Sequence, residues 1–174
     1  MIIRARWLSI ASSPEDNEII ILTHNSGSPY KKALTSLPAG SQVKMSWLES
    51  SLSVTDGSEP LVCFASDVGI SAIRPIVRQW VGKRPVILYH LDKGVKVFDK
   101  ELSELANKTA NMTYETSASL SQSQERFKQA IDGHGNKAQY LVAGQPDDVK
   151  MMKKLLGDNA MYDNVKSSIF RGLK

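Results

Sequence analysis

"LVCFASDVGISAIRPIVRQW" (61–80) decides the architecture. Its first five residues form an unbroken apolar run, the pattern of a strand buried on both faces. "SDVG" then turns the chain, and "SAIRPIVRQWV" (71–81) follows as a helix. A strand–turn–helix junction of this kind has two readings. Amides at a helix start favour anions, so Gly69 would let a phosphate approach and Ser71 would donate a hydroxyl. Asp67 would repel that phosphate if it pointed inward, and the other reading is a plain connection.

Working outward, the strand–helix alternation continues to the end of the chain. Strands are expected at "LVCFA" (61–65), "VILYHL" (86–91), "MTYETS" (112–117) and "QYLVAG" (139–144), with helices at 71–81, 98–108, 122–131 and 147–157. This order implies a parallel sheet with helices on both faces and its turns along one edge. The first third reads differently: "RARWLSIAS" (4–12), "NEIIILTH" (17–24) and "SQVKMSW" (41–47) are strand candidates. "SPYKKALTSL" (28–37) is a short helix with Ser28 as N-cap and Pro29 in its first turn. "VTDGSEP" (54–60) carries the strongest break signals, so the expected division is 1–57 and 58–174.

The 174 residues, 41% hydrophobic and 23% charged, describe a globular chain rather than a disordered one. No apolar run reaches the length of a membrane span, and "MIIRARWLSIAS" has an arginine where a signal sequence would stay apolar. Cys63 is the only cysteine, so no internal disulfide or cysteine-bound cluster forms, and a cytoplasmic setting is expected. The net charge of +4 is spread along the chain without a basic–aromatic block, which argues against nucleic acid as a partner. His24, His90 and His134 lack metal-ligand spacing, and no Gly-x-Ser-x-Gly hydrolase elbow is present.

A second turn, "VAGQPDDVKMM" (142–152), places Gly144 and Pro146 between a strand and an amphipathic helix. Alone it reads as a turn, or as backbone shaped to lie under a flat ligand. Together, "ASDVGISAIR" (65–74), then "VILYHLDKGVKVFDKEL" (86–102), "AGQP" (143–146) and the terminal "SSIFRGLK" (167–174) resemble the nucleotide-binding half of the ferredoxin–NADP reductase family. "RWLSIASSP" (6–14) is similar to that family's flavin signature, and "SPYKKAL" (28–34) to its second one.

The resemblance implies a partial antiparallel β-barrel, a flavin-domain remnant at 1–57, followed by a Rossmann-like NAD(P)-binding α/β domain at 58–174. It implies FAD, or FMN in its place, together with NADP or NAD. Arg6 would bind the flavin pyrophosphate, Leu8 would take the stacking position, and Ser9, the catalytic candidate, would hydrogen-bond the isoalloxazine edge near N5. Ser28 and Tyr30 would open the helix facing the flavin phosphates. Ser66, Asp67, Gly69, Ile70 and Ser71 would cradle the nicotinamide dinucleotide, with Gly144, Gln145 and Pro146 across from them. Ser117 and Arg126 would grip a 2′-phosphate. The implied activity is hydride transfer between a nicotinamide and a flavin, with the cofactors carrying the redox chemistry.

Several positions depart from the family pattern. Leu8 stands where an aromatic is usual, Ser66-Asp67 replace a glycine pair, and Ala72 replaces proline. Relatives also begin earlier, with residues that build the rest of the barrel. A second reading follows: a non-catalytic or partner-dependent subunit that keeps the scaffold with a degenerate cofactor site. Expected partners are an electron-transfer protein, a second chain completing the barrel, or a second copy forming a homodimer.

Overall fold

In the computed structural model, which describes residues 6–46, 49–94, 96–159 and 163–170, the apolar run at 61 becomes β3 (Leu61–Ser66), every residue of it buried. Its neighbours are β4 (Val86–Leu91) and β6 (Gln139–Gly144), both parallel to it. β5 (Met112–Ser117) and β7 (Val165–Ile169) form the edges, giving one five-stranded parallel sheet in the order β5-β4-β3-β6-β7. The chain moves outward from β3 to β5, then returns to the other side of β3 for β6 and β7. With crossovers of constant hand, this reversal puts two helices on each face.

The buried residues bear that out. α2 (Ile70–Trp80) and α3 (Asp99–Lys108) cover one face, where Ile73, Val77 and Leu102 meet Leu61, Cys63, Ala65, Leu88 and Leu141. α4 (Leu120–His134) and α5 (Pro146–Asp158) cover the other, where Phe127, Ile131, Met152 and Leu156 meet Val62, Phe64, Tyr89, Tyr140 and Val142. Alternate residues of each strand thus serve opposite cores, which is why the strands read as continuous apolar runs. Cys63 lies wholly inside the first core, and burial pushes its thiol pKa up to about 12.

The segment before β3 is built on one antiparallel pair, β1 (Ser9–Ile10) with β2 (Ile21–Leu22), and on α1 (Pro29–Thr35). Ser28 caps α1 by accepting the Lys31 N–H at 3.3 Å, as its position before proline predicts. The expected strand at 41–47 is not formed: residues 41–46 are exposed and irregular, and Trp47 lies outside the described residues. Val43 and Met45 point to solvent and make no ladder, so local β-propensity had no partner strand to act on. β7 was not anticipated, because "VKSSI" is a polar edge strand with half-exposed side chains.

The antiparallel unit packs on the α2 face of the sheet. Leu22, Leu52 and Val54 join the core beneath it. Arg74 of α2, 3% exposed, is the principal tie. Its Nη1 donates to the Ala11 carbonyl and to Asp16 Oδ2, each at 2.7 Å, while Nε and Nη2 hold Glu101 of α3 at 2.9 and 2.8 Å. Arg78, one turn further on, donates to Ser13 Oγ and Glu101. Below the sheet, Arg84 fastens 54–60 through the Thr55 and Glu59 carbonyls at 2.9 and 2.6 Å.

Candidate functional site

Open parallel sheets bind ligands beyond the carboxyl ends of their strands, where strand order reverses. Here that point lies between β3 and β6, so the two turns singled out in the sequence become neighbours. Gly69 needs to be glycine for packing: a Cβ there would run into the carbonyl of Ala143 and the Cα of Gly144. Gly144 has φ +149°, and its Cβ would collide with Ser66. The two glycines therefore let the turns interlock.

Their polar groups are largely engaged with one another. Ser66 is buried, and its Oγ accepts the Gln145 N–H at 3.0 Å. Ser71 donates its hydroxyl to the Val68 carbonyl at 2.7 Å, inside the turn rather than toward a ligand. Ile70 is wholly buried in the α2 core. Pro146 opens α5 and offers no N–H, and Asp147 and Asp148 follow in the first turn. Asp67 has a left-handed backbone, φ +54°, a conformation that favours glycine and tolerates aspartate. Its carboxylate is held from two sides, by His24 Nε2 at 2.5 Å and Gln145 Nε2 at 2.8 Å. The anion expected at this turn is thus matched by one the chain supplies itself.

Around this pair runs a narrow cleft of about 60 Å³, between Leu22–His24, Asp67, His90 and Asp92. It is small beside the roughly 300 Å³ at which ligand pockets begin. His90 is buried against the Tyr114 hydroxyl at 3.1 Å, and Tyr114 donates to Asp99 at 3.1 Å. Burial lowers the His90 pKa below its ordinary value, outweighing Asp92 and the Asp67 backbone. Phe170 closes the edge beyond β6, its N–H on the Gly144 carbonyl at 2.9 Å and its side chain on the α2-side core. Residues 171–174, the remainder of the terminal motif, lie outside the described residues.

Ser66, Asp67, Gly69, Gly144 and Gln145 are brought together. Ser117 and Arg126 stand on the outer side, at β5 and α4: Ser117 Oγ is hydrogen-bonded to Ser123 Oγ, and Arg126 to Glu115 and the Thr116 carbonyl, each at 3.0 Å. Arg6, Leu8, Ser9, Ser28 and Tyr30 belong to the antiparallel unit. Arg6 is exposed, Leu8 and Tyr30 are half-buried, and Ser9 pairs in register with Leu22 of β2. Two residues before the end of that unit's connection to the site stands Leu22, and just beyond it His24 reaches Asp67. Sequence reasoning assigned no role to His24 or Arg74. Ser13, Pro14 and Asp16 form a short turn, with the Ser13 N–H on Asp16 Oδ2, but the contact of Asp16 with Arg74 spans 58 positions and has no local signature.

The sequence matches no family model and no curated protein. Solved structures share the fold. The cytochrome P450 reductase GcoB of Amycolatopsis matches with TM-score 0.69 and 16% identity, over 94% of this chain and 55% of that one. A flavohemoglobin of Malassezia yamatoensis, with bound FAD and heme, matches with TM-score 0.67 and 14% identity, over 94% and 46%. The siderophore-interacting protein of Acinetobacter baumannii matches with TM-score 0.61 and 14% identity, over 96% and 70%. The chain thus spans about half the length of the first two. It has the α/β fold of ferredoxin–NADP reductase-like flavin oxidoreductases, with a small antiparallel sheet and a five-stranded parallel one.

Proposed function

We propose that the chain serves a flavin-dependent NAD(P)H oxidoreductase, passing hydride between nicotinamide and flavin on the way to an electron acceptor. The observation that carries this reading is the docking of the antiparallel unit, with Ser9, beside the switch point of the parallel sheet. Support also comes from the names of structures that share the fold, a cytochrome P450 reductase and a flavohemoglobin with bound FAD. The flavin, when bound, supplies the redox chemistry. The chain's part is to bind and orient. Ser9 and Arg6 would hold the flavin, a guanidinium suiting its phosphates, and Ser28 and Tyr30 would flank it at α1. Gly144, Gln145 and Pro146 would underlie the nicotinamide, and Ser66 to Ser71 would back the dinucleotide. The turn fits a pyrophosphate poorly, because its hydroxyls and carboxylate are already bonded within the protein.

That poorer fit favours a second reading, a partner-dependent or non-catalytic subunit. Trp7, Ile19, Val43 and Met45 of the antiparallel unit are exposed apolar side chains, which a second chain, a second copy or an electron-transfer protein would cover. A cytoplasmic setting suits either reading. No described helix is long and apolar enough to cross a membrane.

The test is a visible spectrum after incubation with FAD or FMN and desalting, followed by anaerobic NADH or NADPH. A retained flavin band that bleaches supports the oxidoreductase. Desalted protein with no flavin band overturns it for the isolated chain and moves the assignment to the subunit reading.

A further inference from the structure

The outer half of the crevice differs in charge from what a phosphorylated ribose requires. A dinucleotide whose nicotinamide lies over Gly144 and whose centre crosses the ends of β3 carries its adenosine outward. Neighbouring strands are about 4.8 Å apart, so the end of β5 lies roughly 10 Å from that of β3. This is within the reach of the adenosine half. The ends of β4 and β5 are level, because the Asp92 amide donates to the Ser117 carbonyl at 3.0 Å.

A 2′-phosphate arriving there would need a free cation and free hydroxyls. Ser117 is buried, and its hydroxyl is engaged by that of Ser123. Arg126 offers its Nη1 to the Thr116 carbonyl and, in the same geometry, to Glu115 Oε2 at 3.0 Å. The guanidinium is therefore paired with a carboxylate two residues before the end of β5, and the pair presents no unmatched positive charge to a phosphate. Asp92, at the end of β4, adds a second negative charge to the same edge and accepts the Gly94 N–H at 2.7 Å. Carboxylates accept hydrogen bonds from a vicinal ribose diol and repel a phosphate monoester.

We propose that Glu115 is the specificity-determining residue of this edge: by holding Arg126 it selects a ribose with a free 2′-hydroxyl, so the dinucleotide taken is NADH rather than NADPH. The inference rests on the dinucleotide reading of the crevice. It also gives Arg126 the opposite meaning from the 2′-phosphate grip expected of it from sequence.

The experiment is calorimetric titration of the protein with NADH and NADPH, repeated with 5′-AMP and adenosine 2′,5′-bisphosphate so that flavin loading does not matter. The expected preference for the ligand lacking the 2′-phosphate is about tenfold. Glu115→Gln releases Arg126 and should erase that preference, and adding Arg126→Gln to it should cancel the gain. A wild-type protein that binds both ligands equally, or prefers the 2′-phosphate, overturns the inference while leaving the crevice a dinucleotide site. So does a preference untouched by Glu115→Gln. Absence of binding by all four ligands, in wild type and Glu115→Gln alike, overturns the dinucleotide reading and this inference with it.

Discussion

Asp67 combines two demands that glycine would separate. Its backbone is left-handed, and its carboxylate joins His24 to Gln145 across the switch point. Asp67→Gly relieves the backbone by about 1 kcal/mol and loses two side-chain hydrogen bonds of about 1 kcal/mol each. We expect the melting temperature to change by only a few degrees. On the proposed dinucleotide reading, nucleotide affinity should rise several-fold, because a carboxylate no longer repels the phosphates. Thermal unfolding and titration with NADH, made on the same samples, check both halves. The position of this turn was legible in "ASDVGIS", and so was the substitution of Ser66-Asp67 for a glycine pair. The partner of Asp67 was not. His24 lies 43 residues away, and nothing local distinguishes it from a solvated histidine.

At the level of elements, α2 carries the junction between the two parts of the chain. It runs through Pro75 and presents Arg74 and Arg78 on one side. Arg74 is nearly buried, and its partners Asp16 and Glu101 come from an N-terminal turn and from α3. Lysine can reach one of those carboxylates but cannot reproduce the fork that serves Asp16, Ala11 and Glu101 together. Arg74→Lys should therefore cost about 2–3 kcal/mol, less than a fully buried pair because Glu101 remains part-exposed. Urea unfolding measures that loss. Proteolysis should then cut first in the segment before β3. The helix itself was legible from its sequence, whereas its role as a clamp depends on side chains that three separate elements deliver to one guanidinium.

At the scale of the whole molecule, Asp16 and His90 both make stability fall in acid. The hydrogen bond from Arg74, with the Ser13 backbone, holds the Asp16 carboxyl well below the usual carboxylate range. Its contribution is complete above the ordinary aspartate value of about 4 and is lost as pH falls below it. Burial lowers the His90 pKa, so protonation favours the unfolded chain once pH drops below about 6.5. The two signs agree. Melting temperature should be level from about pH 7 to 8, decline gently below about 6.5 and fall steeply below about 4. A His90→Gln variant should lose the gentle upper limb and keep the steep one. A flat profile down to acid pH contradicts both assignments.

The amino-acid sequence by itself determined the α/β half. Its strands are apolar runs buried on both faces, its helices are amphipathic, and both periodicities are local properties of the chain. It also located the two turns at the carboxyl ends of β3 and β6, since glycine and proline mark turns wherever they stand. Only the tertiary structure decided how those turns are used. Gly69 and Gly144 prove to be packed against each other's loops, Ser71 is turned inward, and Arg126 is held by Glu115. The polar edge strand β7 and the irregular run at 41–46 were likewise settled in three dimensions. The physical reason is common to all of these. A strand run or a helix stripe records which face is buried, but hydrogen bonds and steric contacts between distant residues depend on where the fold brings their side chains.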